Sequence, residues 1–423
     1  MKKIIITLCF LIVTSISLGQ KISEKRLKKE INKITVLKNS FVGIHIISQE
    51  NKKVIASLNS DNYMTPASNT KLLTFLGAIQ TFDELPAIEY AIERDSICHF
   101  RSTGYPLLFH PFYNDKVLED FFRSKKYLKY HLPLNKPEPQ GSGWSWDDYN
   151  YYHASEISTF PIYGNTIQAV YNENGVTIKP DFEIIESNIE SNLIRDRITN
   201  NFEYNLNNWN IKDTLYRPFR TSDSLFVKLL SKELGIDVAI GNKNEKLKWN
   251  QLFTKNEKNL FQGLLHDSDN GIAESLLNMI SKKQKNVFSA EAAIEVFNER
   301  WKNWLPDKLE WVDGSGVSRY NMFTPKTIVA VLDKIYEILE WNEIKEIFPK
   351  GGKSGTLVAY KDLKSVYAKT GTLRHNLNLS GYLISDSGKK YIFSFMVNHF
   401  TSSSYEVKKG ISKLLNWIKK KLD

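Results

Sequence analysis

Strand-like runs stand at both ends of this chain with helical patterns between them, and that order constrains the fold more than any single motif. "FVGIHIIS" (41–48) and "KKVIASL" (52–58) flank "QEN" and read as a strand pair joined by a tight turn. At the far end "SVYAKTGTL" (365–373), "NLSGYLIS" (378–385) and "YIFSFMVNHF" (391–400) are three further runs. Helical spacing precedes the first pair in "ISEKRLKKEINKITVL" (22–37) and follows the last strand in "VKKGISKLLNWIKKKL" (407–422). The simplest arrangement is an α+β fold: one antiparallel sheet built from both ends of the chain, flanked by the terminal helices, beside a helical lobe. A site would then lie where sheet and lobe meet.

Between about 84 and 245 the texture changes. Aromatic residues crowd together in "GSGWSWDDYNYYH" (141–153), and short β-like runs alternate with Asn-rich segments. This stretch reads as a β-rich inserted accessory domain, dividing a discontinuous domain of residues 20–83 and 246–423. Residues 1–19 pair a basic start, "MKK", with the apolar run "IIITLCFLIV" and small residues before Gln20. Such a segment reads as a cleavable export signal, with an uncleaved anchor as the alternative, and the expected location of the mature chain is the periplasm. Cys9 falls inside it, so Cys98 alone remains and no intramolecular disulfide forms. The formal charge of +10 includes Lys2 and Lys3, and the mature chain at +8 favours anionic partners. Its lysines are dispersed, which speaks against nucleic acid, while peripheral membrane association stays open.

Three short motifs carry chemistry. In "PASNTKLLTF" (66–75) Ser68 stands three residues before Lys71, with Leu72, Phe75, Leu76, Ile79 and Phe82 on one helical face. A serine hydroxyl needs a base to become a nucleophile, and a lysine one helical turn away can serve if burial lowers its pKa. The pair alone reads more simply as a capping serine and a solvated lysine, since S-x-x-K is common by chance. "SDN" (Ser268 to Asn270) could aim a hydroxyl and an amide into the same cleft, or could simply start the helix that follows. "KTG" (Lys369 to Gly371) sits on a strand pattern, where the lysine can hold a carboxylate and the glycine lets a ligand lie close. "KSG" (Lys353 to Gly355) competes with it but lies among loop residues. All three motifs occur in the order S-x-x-K, S-D-N, K-T-G, the mark of β-lactamases and penicillin-binding proteins.

With these motifs the chain resembles the penicillin-binding D-alanyl-D-alanine carboxypeptidase/endopeptidase family, the penicillin-binding protein 4 type. "WSWDD" (144–148), "FPIYGN" (160–165), "SDNGIAE" (268–274) and "DGSGVSR" (313–319) extend the likeness over nearly all the mature chain. It departs at Arg101 to Leu108, where "RSTGYPLL" replaces a glycine- and aspartate-rich segment, and in an insert that is shorter than usual. The resemblance implies a serine β-lactamase/transpeptidase-like fold and hydrolysis of peptidoglycan stem peptides, with β-lactam antibiotics as covalent inhibitors. By position, Ser68 would be acylated, Lys71 would be its base, and Ser268 and Asn270 would form a second wall. Lys369 and Thr370 would bind the terminal carboxylate beside Gly371. The N–H groups of Ser68 and Thr372 would form the oxyanion hole, and Arg319 would contact substrate. No metal-binding spacing occurs, so neither metal nor cofactor is expected. "GGKS" (351–354) lacks the first glycine of a phosphate loop, since Ile347 stands there. A β-lactamase, or a non-catalytic β-lactam-sensing or wall-binding module, is the alternative.

Overall fold

The computed structural model describes residues 21–93, 97–173, 175–242 and 246–422. The export signal expected at 1–19 lies outside them. The two ends of the chain do meet in one five-stranded sheet. Its strands run in the order Val366–Leu373, Asn376–Ile384, Lys390–Asn398, Phe41–Ser48 and Val54–Leu58, and neighbours are antiparallel throughout. Phe41 pairs with Asn398 and Ser48 with Tyr391, which joins the N- and C-terminal parts. Side chains alternate between the two faces. Ile44, Ile46, Leu379, Phe393 and Phe395 pack on one side with Val407, Ile411 and Leu415 of the terminal helix Ser404–Lys419. The other face, with Tyr382 and Ile392, joins the larger core under the helical lobe.

The N-terminal helical pattern divides into Glu24–Ile31 and Thr35–Lys38. Ile34 between them is extended, and the break lets Leu27, Ile31 and Leu37 all reach the sheet. In the lobe, Lys71–Thr81 is packed among helices Glu257–Leu265, Asn270–Lys285 and Pro325–Ile338. Leu72, Phe75 and Leu76 are buried as the spacing suggests, but Leu73, Thr74 and Gly77 are buried too. This helix is a central post rather than a half-exposed one.

The 84–245 stretch forms three further sheets among the described residues. The largest runs Val238–Ile240, Tyr127–Tyr130, Ile97–Ser102, Pro86–Glu93 and Asn250–Phe253, so its pairing continues past 245. Part of the stretch also folds back onto the helical lobe. Trp144 donates to Asp313 at 2.9 Å, and Tyr152 donates to Asp269. No helix among the described residues is long and apolar enough to cross a membrane.

Candidate active site

Ser68 sits in a single 3-10 turn, Ala67–Thr70, that leads into the helix beginning at Lys71. Ala67 takes φ +48°, a left-handed conformation that costs about 1–3 kcal/mol and persists only where neighbours enforce it. They do. From the sheet, Asn378 Nδ2 donates to the carbonyls of Pro66 at 2.7 Å and Thr65 at 2.9 Å, and Asn69 Nδ2 donates to Ser380 Oγ at 2.6 Å. Gly316, at φ +83°, presses on the same turn so closely that an added Cβ would lie 2.0 Å from the Ala67 carbonyl oxygen. Ser68 does not cap the helix; its hydroxyl faces Lys71.

Lys71 is wholly buried, yet all its hydrogen-bonding positions are used. Its Nζ lies 3.1 Å from Ser68 Oγ, 2.5 Å from Asn270 Oδ1 and 2.7 Å from the Ser315 carbonyl oxygen. Burial lowers its pKa to about 8, against the opposing pull of the Asp313, Glu274 and Asp269 carboxylates. Such a lysine supplies a useful fraction of neutral amine near neutral pH.

The second wall is built around Asp269. Ser268 has a left-handed backbone, φ +63°, which turns the chain just before Asp269 caps the helix by accepting from Ile272 N at 2.8 Å. Burial pushes the Asp269 carboxyl up, but His110, Tyr152 and the Ile272 N–H outweigh it and hold the group below its usual range. The third residue of the trio, Asn270, also donates from Nδ2 to the His153 carbonyl at 2.7 Å. Lys369 Nζ donates to Ser268 Oγ at 2.8 Å and to the Thr370 carbonyl at 2.9 Å. Burial, then the nearby Lys71 charge, depress its pKa well below that of a free lysine.

Thus Lys71 joins Ser68 to Asn270, Lys369 holds Ser268, and Ser68, Ser268 and Asn270 line one cleft. Thr370, Thr372 and Arg319 line the same cleft, which holds about 670 Å³. Gly371 serves differently from the expectation. The room left by its missing side chain is filled by the Pro66 carbonyl oxygen, 2.4 Å from where a Cβ would stand, so it seats the strand on the serine turn rather than on a ligand. Lys353 is exposed and does not line the cleft. The residues just after it do matter: Thr356 N donates to the His266 carbonyl at 3.0 Å, and Thr370 Oγ1 donates to Thr356 Oγ1 at 2.9 Å. His266 is half-buried, its pKa lowered by that burial.

Sequence reasoning gave no role to two buried carboxylates. Glu274, one turn after Asn270, accepts from Gly314 N at 3.0 Å and Ser315 N at 2.8 Å. That grip fixes the Ser315 carbonyl against Lys71. Burial, then the adjacent Asp313 charge, raise the Glu274 pKa to about 7. Asp313 accepts from Gly316 N at 2.8 Å and Asn321 Nδ2 at 2.7 Å, which folds "DGSG" into a tight loop. Their motifs were legible as family likeness, but pairing 274 with 314 leaves no periodic trace.

Fold and site together place a serine hydroxyl against a buried lysine at one cleft between the sheet and the helical lobe. The sequence profile of the D-Ala-D-Ala carboxypeptidase 3 (S13) family matches residues 23–108 and 134–421, and the chain belongs to that family of D-Ala-D-Ala carboxypeptidases. It is 24% identical over 428 residues to D-alanyl-D-alanine carboxypeptidase DacB of Haemophilus influenzae, covering 87% of this chain and 88% of that protein. The crystal structure of penicillin binding protein 4 from the same organism matches with a TM-score of 0.74 at 21% identity, over 93% of this chain and 99% of that one. The penicillin G acylated predatory endopeptidase Bd3459 of Bdellovibrio bacteriovorus matches with a TM-score of 0.55 at 15% identity, over 90% and 93%. The expected fold is the one found. Among the described residues no group of three His, Cys, Asp or Glu is placed to hold a metal ion.

Proposed function

We propose that Ser68 attacks the carbonyl of the penultimate D-alanine of a peptidoglycan stem peptide, forming an acyl-enzyme that water then hydrolyses. The observation that carries this reading is how Lys71 is surrounded. A neutral amine has two N–H groups and one lone pair. Asn270 Oδ1 and the Ser315 carbonyl can only accept, so they take both N–H groups and leave the lone pair facing the Ser68 O–H. The proton therefore passes from Ser68 Oγ to Lys71 Nζ as the new C–O bond forms.

The tetrahedral oxyanion is held by the N–H groups of Ser68 and Thr372, and the substrate's terminal carboxylate by Lys369 with Thr370. Ser268, held by Lys369, passes the proton that Lys71 took from Ser68 on to the leaving amine of the terminal D-alanine, which returns Lys71 to the neutral amine. The C–N bond breaks and the ester remains on Ser68. Lys71 then activates the water that releases the shortened peptide. A β-lactam presents the same carbonyl and carboxylate but leaves an ester that hydrolyses slowly, and the penicillin-acylated state of the Bdellovibrio neighbour supports this reading. In it, residues 20–83 and 246–423 form the catalytic domain, 84–245 the accessory one, and the 1–19 signal sends the chain to the periplasm.

The test is D-alanine release from a pentapeptide and from intact sacculi, with products identified by mass spectrometry. Single alanines released by the wild type and not by Ser68→Ala are expected. Conversion of cross-linked dimers to monomers adds endopeptidase action, and release unaffected by Ser68→Ala overturns the reading.

A further inference from the structure

Beside the cleft runs a second concavity, about 910 Å³, between the helix Ser404–Lys419 and the segment 359–362. Five lysines border it: Lys361, Lys408, Lys409, Lys413 and Lys420. Of these only Lys409 has an ion-pair partner among the described residues, Glu406 at 3.5 Å. Asp362 is the single carboxylate on the lining. Tyr405 is 62% exposed with Lys409 Nζ 4.3 Å from its ring centroid, and the half-buried Trp417 packs under Arg26. So concentrated a cationic surface raises the local concentration of polyanions and costs self-repulsion while empty.

The groove's lining adjoins the cleft's at two places along the chain. Ser404 lines the cleft and its neighbour Tyr405 lines the groove. On the opposite wall Thr356 lines the cleft and Ala359 the groove. A polymer whose end lies at Ser68 would thus meet these lysines next. Its concave shape suits a strand better than a flat bilayer.

We propose that this basic groove is an accessory binding site for the carboxylate-bearing remainder of polymeric substrate, continuous with the catalytic cleft. The proposal rests on the carboxypeptidase reading above and deepens it: the cleft recognises the peptide end, and the groove recognises the wall polymer to which it is attached. Carboxylates of neighbouring stem peptides are the ligands of the lysines, and the exposed Tyr405 offers a face for a sugar ring.

The test compares the full chain with the triple variant Lys408→Glu, Lys409→Glu, Lys413→Glu on a soluble pentapeptide and on intact sacculi. The ratio of sacculus to pentapeptide turnover is expected to fall about tenfold. Cosedimentation with sacculi, measured in a Ser68→Ala background, is expected to weaken likewise, and raising salt from about 50 to about 300 mM to remove the difference. An unchanged ratio, an equal loss on both substrates, or a loss confined to anionic vesicles overturns the proposal. If the wild type turns over neither substrate, the carboxypeptidase reading fails, while cosedimentation still decides the groove.

Discussion

Asn270 Oδ1 accepts a hydrogen bond from Lys71 Nζ at 2.5 Å, joining the starts of two helices 199 positions apart in the chain. In the proposed reading this contact helps to aim the lysine lone pair at Ser68. Acylation by penicillin should therefore rise with pH and level off above a midpoint of about 8, where Lys71 loses its proton. Asn270→Asp adds a negative charge beside the ammonium, stabilises it, and should move that midpoint upward. Stopped-flow acylation rates across pH check both; a midpoint unmoved by Asn270→Asp would separate Asn270 from the base.

Lys369 is expected to bind the substrate carboxylate. Removing it as Lys369→Ala should cost ~1.5–3 kcal/mol in kcat/KM, the usual worth of a charge-assisted hydrogen bond. Lys353→Ala, at an exposed position off the cleft, should change nothing. Steady-state kinetics on a D-Ala-D-Ala peptide distinguish the two, and the reverse pattern would reassign the carboxylate site.

Glu274 makes stability depend on pH in a definite direction. Its carboxyl titrates at about 7 in the fold against 4.5 when free. The folded state keeps a proton there that the unfolded chain has given up, so the contribution is full below pH 4.5 and fades as pH rises through 7. Glu274→Gln cannot ionise, so its melting temperature should fall less between pH 5 and 8 than the wild type's. Parallel melting curves would show that Glu274 is not the group responsible.

Gly316→Ala should lose acylation by on the order of a hundredfold, because displacement of the serine turn by even an ångström misaligns the nucleophile. The side chain has no room beside the Ala67 carbonyl, and φ +83° is unfavourable for alanine. Normal acylation by a folded Gly316→Ala protein would mean that the turn is held by the sheet contacts of Asn69 and Asn378 alone.

The sheet and the three motifs that come together at the cleft were legible because their signals are local. Alternation picked out Val366 to Lys369 as a strand and so chose Lys369 over Lys353, and the three motifs fixed the other residues by spacing. What could not be read depends on contacts between distant segments. Trp144 reaching Asp313, Tyr152 and His110 gathering on Asp269, and Glu274 gripping 314 and 315 all join positions with no shared periodicity. Each of those polar residues, seen alone, suits a surface equally well. The same limit hid the use of Gly371, whose neighbour in space, Pro66, lies far away in the sequence.

The most direct measurement is intact-protein mass spectrometry after a brief exposure to benzylpenicillin, followed by peptide mapping. One penicilloyl group per chain, carried on the peptide containing Ser68 and missing from Ser68→Ala, is the expected result. An adduct on Ser268 instead, or none on folded protein, would contradict the assignment of Ser68 as the nucleophile served by Lys71.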